Sequence, residues 1–176
     1  STSSSTLGTL VASGNDWGQT FTFSGFTLNP GQTYYLHVEG INYGGPGAFL
    51  GEFTLSDSNF AFANGSQTLL TGGAGWTAGY NNNNTNPNAV QPWVNPTGGF
   101  YTEGGNGVGP WGFHTSISAS AQWMWPSDLS SSGCEFCTVD FAAVIAPTTG
   151  APAPGALALV GFGLAGLGAM RRRKAG

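Results

Sequence analysis

Apolar and polar residues alternate along several short stretches of the chain, with the period of two that a half-buried β-strand shows. In residues 32–41, for example, Tyr34, Leu36 and Val38 fall on one face, and Tyr35, His37 and Glu39 fall on the other. Stretches of this kind, together with an apolar group near residue 10, predict strands at residues 7–11, 20–23, 32–41, 48–56, 121–125 and 137–145.

Turn residues separate these stretches and indicate further strands. The Asn64-Gly65 pair lies between Phe60 and Phe62 on one side and Leu69 and Leu70 on the other, which predicts two short strands joined by a turn. Residues 72–112 are rich in Gly, Asn and Pro, and a structureless loop of that length is improbable inside a compact domain. We therefore expect short strands near residues 75–80 and 99–102, within long loops.

The fold class follows from the number and spacing of these elements. No stretch before residue 155 shows the sustained 3.6-residue period of an amphipathic helix. About eight short strands between Gly, Pro and Asn turns are typical of an antiparallel sandwich. The sequence predicts an all-β antiparallel β-sandwich or jelly-roll ectodomain in residues 1–145 and a Pro-rich extended linker in residues 146–154. A single C-terminal transmembrane helix follows.

The C-terminal segment has the charge pattern of a membrane anchor. Residues 155–170 are uncharged, and the four cations of the chain come directly after them, namely Arg171, Arg172, Arg173 and Lys174. This pattern is typical of a membrane helix with a cytoplasmic end. We assign residues 155–170 as a transmembrane or sorting helix and residues 171–176 as a basic cytoplasmic tail. The alternative is a helix buried in the body.

The predicted helix is short and rich in small residues. Its length would be about 24 Å, against a hydrocarbon core of roughly 30 Å, so side-chain snorkelling or local thinning must cover the difference. Small residues recur at spacings of three or four, at Gly155, Ala158, Gly161, Ala165 and Gly168. Such a stripe lets membrane helices approach closely, or it is simply the composition of a short sorting helix.

Orientation and location follow from the position of the cations. The positive-inside rule places the basic end in the cytoplasm and residues 1–154 on the periplasmic or extracellular side of a single-pass anchor in the bacterial inner membrane. This orientation requires export of the body. Removal of a signal peptide before Ser1 would be consistent with export.

The segment from Pro152 onward resembles a known sorting signal. The Pro152-Ala153-Pro154 motif, the Gly/Leu/Ala-rich helix and the terminal Arg-Arg-Arg-Lys resemble the PEP-CTERM family of bacterial exported proteins. In that family a Pro-Glu-Pro motif, a short hydrophobic helix and a basic C-terminus are read by an exosortase. Pro152 and Pro154 match the motif, and Ala153 stands where the family has glutamate. The resemblance implies a protein associated with exopolysaccharide, biofilm or other surface material.

The charge of the body excludes several classes of ligand. All eight acids lie before residue 155, and that region contains no Lys or Arg. A body of this kind cannot neutralise phosphates with cations, which argues against binding of nucleic acid, anionic lipid or nucleotides. Its acids must be solvated, bonded to backbone N–H groups or paired with metal ions.

Two cysteines, Cys134 and Cys137, are the only ones in the chain. In an exported protein such a pair indicates a disulfide first. A redox site or a metal site is the alternative, although the pair precedes a strand rather than opening a helix.

The candidates for other chemistry are few. His37 and Glu39 share a strand face and could contribute two metal ligands, but no third is recognisable, so we predict no metal site. Calcium is the more plausible cation, with Asp57 and Asp16 as candidate ligands, although no Asp-rich calcium loop is present. No nucleophile motif or marked carboxylate pair occurs, so we predict no catalytic residues and no enzymatic activity.

Aromatic residues are the best indication of function in the body. Trp76, Trp93 and Trp111, with Tyr80 and Tyr101, lie in the Gly/Asn-rich region. Uncharged aromatic faces beside amides suit stacking on neutral sugars or burial by a protein partner. The alternative is that they fill a thin core beneath long loops. Trp123 and Trp125 are expected in the core.

The sequence thus predicts a non-enzymatic, membrane-anchored structural or binding protein of the cell surface or periplasm, with the lipid bilayer as a partner and no nucleic acid. One alternative is an accessory subunit of an inner-membrane complex, packed through its helix against other transmembrane subunits. A further alternative is a lectin-like module for neutral polysaccharide such as exopolysaccharide.

Overall fold

A computed structural model describes residues 1–82, 93–126 and 137–148. Within these residues the chain forms eight β-strands and no helix, and every strand pairing is antiparallel. The predicted all-β class and the antiparallel pairing are therefore confirmed. The strands are β1 (Tyr34–Asn42), β2 (Glu52–Thr54), β3 (Phe60–Phe62), β4 (Thr68–Leu70), β5 (Trp76–Asn82), β6 (Tyr101–Gly105), β7 (Gln122–Trp125) and β8 (Cys137–Pro147).

Strand β8 is the centre of the main sheet. It pairs with β1 along nine residues on one side, from Cys137 to Ile145. On its other side it pairs first with β5 and then with β3, which therefore lie end to end. All seven residues from Cys137 to Ala143 are buried, so this part of β8 is covered on both faces. The predicted alternation identified the core face correctly, but the polar face is buried as well.

The remaining strands form two short pairs, β2 with β4 and β6 with β7. Backbone hydrogen bonds between Phe49 and Met124 join the segment before β2 to β7. A second connection runs from the N–H of Gln122 to the carbonyl of Thr71, just after β4. The two pairs are thereby linked to each other by backbone bonds.

Aromatic side chains fill the space between these strands and the main sheet. Phe141 of β8 is fully buried, and its ring centroid lies 5.6 Å from that of Phe49, 6.2 Å from that of Trp125 and 6.4 Å from that of Trp76. The contacts of Phe141 with Trp76 and Trp125 are edge-to-face, and such contacts add to the stabilisation that comes from burying apolar area. Trp123 and Trp125 are both buried, as expected.

The close packing of Trp125 requires a glycine opposite it. A Cβ at Gly47 would lie 2.6 Å from the indole, closer than any real carbon contact. A side chain at residue 47 would therefore displace the tryptophan from the core.

Two expected strands are not found in the N-terminal segment. Residues 7–11 and 20–23 form no strand, and the side chains of Leu10, Phe21 and Phe23 are exposed. The alternation at residues 20–23 is suitable for a strand, but a strand also needs a neighbouring edge to complete its hydrogen bonds. No described strand supplies that edge.

The turn at Asn64-Gly65 and the short strands before and after it were predicted correctly, and the structure shows which strands they pair with. Gly65 adopts a positive φ of 79°, and its N–H donates to the carbonyl of Phe62. Strand β3 before the turn pairs with β8, and β4 after it pairs with β2. The turn therefore carries the chain from the main sheet to the β2–β4 pair.

Truncation of Phe141 tests the packing of this core. Phe141→Ala should lower the free energy of unfolding by about 3–5 kcal/mol, because it removes a fully buried ring and leaves a cavity. The matched control is Phe113→Ala, at an exposed phenylalanine, which should change stability by no more than about 0.5 kcal/mol. Urea unfolding of the full-length chain in detergent measures both, and equal losses would show that this core is misassigned.

Candidate functional site

Residues 93–98, called the strap below, cross the outer face of the main sheet. At one end the ring of Trp93 packs against that of His37 on β1, with centroids 4.6 Å apart and the ring planes tilted by 39°. The next residue, Val94, donates its N–H to the carboxylate of Asp140 on β8 over 2.7 Å. At the other end Gly98 exchanges two backbone hydrogen bonds with Ala78 of β5. The strap thus contacts all three neighbouring strands.

The strap lies close to β5 because residue 79 has no side chain. A Cβ at Gly79 would stand 3.2 Å from the Cα of Pro96 and 3.4 Å from the side chain of Val94. Backbone atoms yield less easily than the end of a side chain, so a larger residue would push the strap outward.

Asp140 is the most constrained acid in the described structure. It is fully buried, and its Oδ2 accepts the Val94 N–H, while its Oδ1 has no hydrogen-bond partner among the described residues. Burial, reinforced by the charge of Glu39 directly across the ladder, raises the pKa of Asp140 to about 6, although the Val94 hydrogen bond opposes this. A carboxyl in this position takes up a proton at mildly acidic pH.

The groups around Asp140 are polar but sparsely paired. Among the described residues, the indole nitrogen of Trp93 has no hydrogen-bond partner. Burial lowers the pKa of His37 and raises that of Glu39. No group of three His, Cys, Asp or Glu side chains that could share a metal ion occurs among residues 1–82, 93–126 and 137–148.

The three candidate stacking tryptophans have different environments. Trp76 is 6% exposed, and its indole N–H donates to the carbonyl of Leu70, so its ring belongs to the core, which agrees with the alternative given above for these tryptophans. Its position on the inward face of β5 is the physical reason. Trp93 is half-buried against His37. Trp111 is half-buried and stacks on Trp123 at 5.2 Å. Ligand stacking by Trp93 or Trp111 stays a prediction.

Two tyrosines, in contrast, present their rings to solvent beside the strap. Tyr80 on β5 is 44% exposed and Tyr101 on β6 is 56% exposed. Both line a groove of about 540 Å³ at the edge of β5, which we call the tyrosine groove. The sequence identified both residues as aromatic but could not indicate which aromatics of this region remain exposed.

The two candidate calcium ligands accept hydrogen bonds within local turns. The carboxylate of Asp57 accepts the backbone N–H and the side-chain amide of Asn59. Asp16 accepts the N–H of Gly18 and the side-chain amide of Gln19. Calcium binding by either residue stays a prediction.

A buried histidine and an asparagine were not recognised from the sequence. His114 contacts the hydroxyl of Thr20 through Nδ1, at 3.0 Å. The side chain of Asn106 accepts the N–H of His114 and donates to the carbonyls of His114 and Ile117. These contacts organise a loop, and only the folded chain brings them together.

Several predicted features lie outside the described residues. They are Cys134, the sorting motif Pro152-Ala153-Pro154, the helix at residues 155–170 and the basic end at residues 171–176. In the part of the chain that the structure describes, no helix has the length and hydropathy needed to cross a membrane. Cys137 begins β8 and is buried, and the same part contains no free cysteine. The disulfide stays a prediction.

Comparison of the chain with protein-family models, curated proteins and solved structures finds no match.

The pKa of Asp140 predicts how the variant Asp140→Asn changes the pH dependence of folding. The folded-state pKa, about 6, lies above the ordinary value of 3.8, so the folded chain binds the proton more tightly than the unfolded chain does. This contribution to stability is fully present below pH 4 and is lost as the pH rises to about 6. Stability of the variant relative to the native chain should therefore increase over that window, by about 3 kcal/mol at most.

Unfolding in urea at several pH values measures this difference. Glu39 and His37 on β1 are present in both chains, and because Glu39 is coupled to Asp140 across the ladder, the measured difference includes the response of Glu39 to the loss of the Asp140 charge. The strap and the facing part of β5 contain no carboxyl group and no histidine. Asp57→Asn is the control and should keep the native pH dependence, because Asp140 is still present. A stability difference that stays constant from pH 4 to pH 6 would contradict the assignment.

Proposed function

We propose that this protein is an exported bacterial protein, anchored in the inner membrane by its C-terminal helix, with a structural or binding role at the cell surface and no enzymatic activity. The observation that carries the proposal is the distribution of charge. All four cations follow the uncharged segment 155–170, and the eight acids all precede it. Cationic residues on the cytoplasmic side hold a helix in one orientation.

The sorting layout supports an exosortase-type tail. A Pro-rich linker, a short Gly/Leu/Ala helix and a basic end occur in the order of the PEP-CTERM signal, with Pro152 and Pro154 at the proline positions. Such a tail would display the body on the periplasmic or outer side and provide a position for later processing.

The packing of the described strands supports a sandwich-like ectodomain. Phe49, from the segment before β2, and Trp125 of β7 both lie outside the main sheet and contact Phe141 of β8, as the facing layers of a sandwich do. A disulfide between Cys134 and Cys137 fits an exported body. Alkylation of the cysteines before and after reduction would test the disulfide.

Several carboxylates support a non-catalytic role, because they are used in structural contacts. Asp57 and Asp16 cap local turns. Glu52 accepts the backbone N–H of Ser118 over 2.8 Å. A carboxylate held in this way is committed to the fold rather than to proton transfer with a substrate.

A second candidate function, an accessory subunit of an inner-membrane complex, is favoured by the apolar N-terminal segment. Leu10, Trp17 and Phe26 are each more than half exposed, as are Val11 and Phe23. A group of exposed apolar side chains on one segment is typical of a surface that another protein covers. If the protein is such an accessory subunit, the small-residue stripe from Gly155 to Gly168 contacts other transmembrane subunits.

The anchor predicts where the protein fractionates in the cell. The full-length chain should stay with membranes through a carbonate wash, and a chain ending at Pro154 should be released, because it lacks the apolar segment. Protease added to spheroplasts should digest the body. A matched control that lacks only residues 175–176 should behave like the full-length chain. A protected body, or a soluble full-length chain, would contradict the proposal.

Gentle detergent extraction followed by native mass spectrometry separates the two candidate functions. The surface protein should extract alone, and intact-mass measurement of its mature form should place its end near residue 153 if the tail is processed. The accessory subunit should retain its tail and migrate with other subunits at fixed stoichiometry. Fixed stoichiometry with a processed tail would contradict packing through the helix.

A further inference from the structure

The tyrosine groove has the dimensions of a small-ligand site. Its volume is about 540 Å³, and sites for small molecules usually fall between about 300 and 1,000 Å³. It lies where the strap passes around the edge of β5 and continues into β6. Tyr80 and Tyr101 come from these two different strands and line the same groove.

The exposure of the two tyrosines needs an explanation. A tyrosine ring is largely apolar, and most such rings in a folded protein gain stability by burial. Here two of them leave about half of their surface in water. An aromatic ring with a polar hydroxyl, held on a strand at the edge of a groove, is a common contact for a bound ligand.

The rest of the lining determines which kind of ligand fits. Asn95 and Thr97 offer an amide and a hydroxyl, and both are exposed. The described lining contains no charged side chain, and the chain has no cation before residue 171. An anionic ligand would therefore have no counter-charge. A purely apolar ligand would cover Asn95 and Thr97 without offering them hydrogen bonds, which is costly.

A neutral sugar ring satisfies both requirements. Its face carries C–H groups that pack on an aromatic ring, and its edge carries hydroxyl groups that bond to amides and hydroxyls. We infer that the tyrosine groove binds a neutral saccharide, with Tyr80 and Tyr101 contacting the face of a sugar ring and Asn95 and Thr97 its hydroxyls. The inference rests on the proposed function for the source of the ligand, since an exported body meets the neutral polysaccharide of the cell surface.

Binding of the full-length chain in detergent to an array of neutral gluco-, galacto- and manno-oligosaccharides tests this inference, with oligogalacturonate as the acidic comparison. At least one neutral class should bind, and oligogalacturonate should bind more weakly. Tyr80→Ala and Tyr101→Ala should each weaken binding at least fivefold, about the loss expected when a central aromatic contact is removed. Tyr80→Phe and Tyr101→Phe keep the ring and should retain most of the affinity.

Tyr43→Ala is the matched control, because Tyr43 is 64% exposed and does not line the groove. It should bind like the native chain, and the thermal unfolding of every variant identifies any that fails to fold. Absence of binding to all neutral classes, preference for the acidic oligosaccharide, or equal losses for Tyr43→Ala and the groove variants would overturn the inference. Membrane fractionation of the same variants is a separate readout, so loss of sugar binding with retained anchoring leaves the proposed function standing.

Discussion

The structure depends on strand β8 more than on any other element. Its eleven residues complete hydrogen bonds with three strands, and its central part is buried on both faces. The side chain of Phe141 packs in the aromatic core on one face of the sheet. On the other face its neighbour, Asp140, accepts a hydrogen bond from the strap. The core and the candidate site are therefore positioned by adjacent residues of one strand, so loosening of β8 would affect both.

The absence of cations from the body explains how its acids are accommodated. With no Lys or Arg before residue 171, a carboxylate in this region has no salt-bridge partner of either type. Four of the six described carboxylates instead accept backbone N–H groups, namely those of Asp16, Glu52, Asp57 and Asp140. At the surface this serves to fix turns. Asp140 also accepts a backbone N–H group, but its carboxylate is buried. Desolvation of that carboxylate raises the pKa of Asp140 by more than the hydrogen bond from Val94 lowers it.

Much of the fold could be predicted from local alternation, because β1 and β8 carry apolar residues at a period of two and β7 carries its aromatic residues at that period. What local pattern could not predict is the partner of each strand. Residues 20–23 alternate as well as β7 does but find no described edge, and the strands on either side of Asn64-Gly65 pair with other strands rather than with each other. Pairing is a property of tertiary contacts between distant segments.

The candidate site was less predictable for the same reason. Thr138 and Asp140 occupy the polar positions of the alternation, yet both are buried, and Asp140 accepts the N–H of Val94 from the strap, which is distant in sequence. The sequence drew attention to tryptophans in the Gly/Asn-rich region, yet Trp76 points into the core while Tyr80, four residues later, stays exposed. The sequence indicated that aromatic residues of this region could contact a ligand, and only the structure shows which of them are exposed.

Amide hydrogen exchange of the full-length chain in detergent tests the central role of β8 most directly. Exchange through global opening is slowest for the backbone that is buried and bonded on both sides. The account predicts that the amides of Val139, Asp140 and Phe141 are among the slowest in the body and that those of residues 7–23 exchange early. Equal exchange rates in these two segments would contradict it.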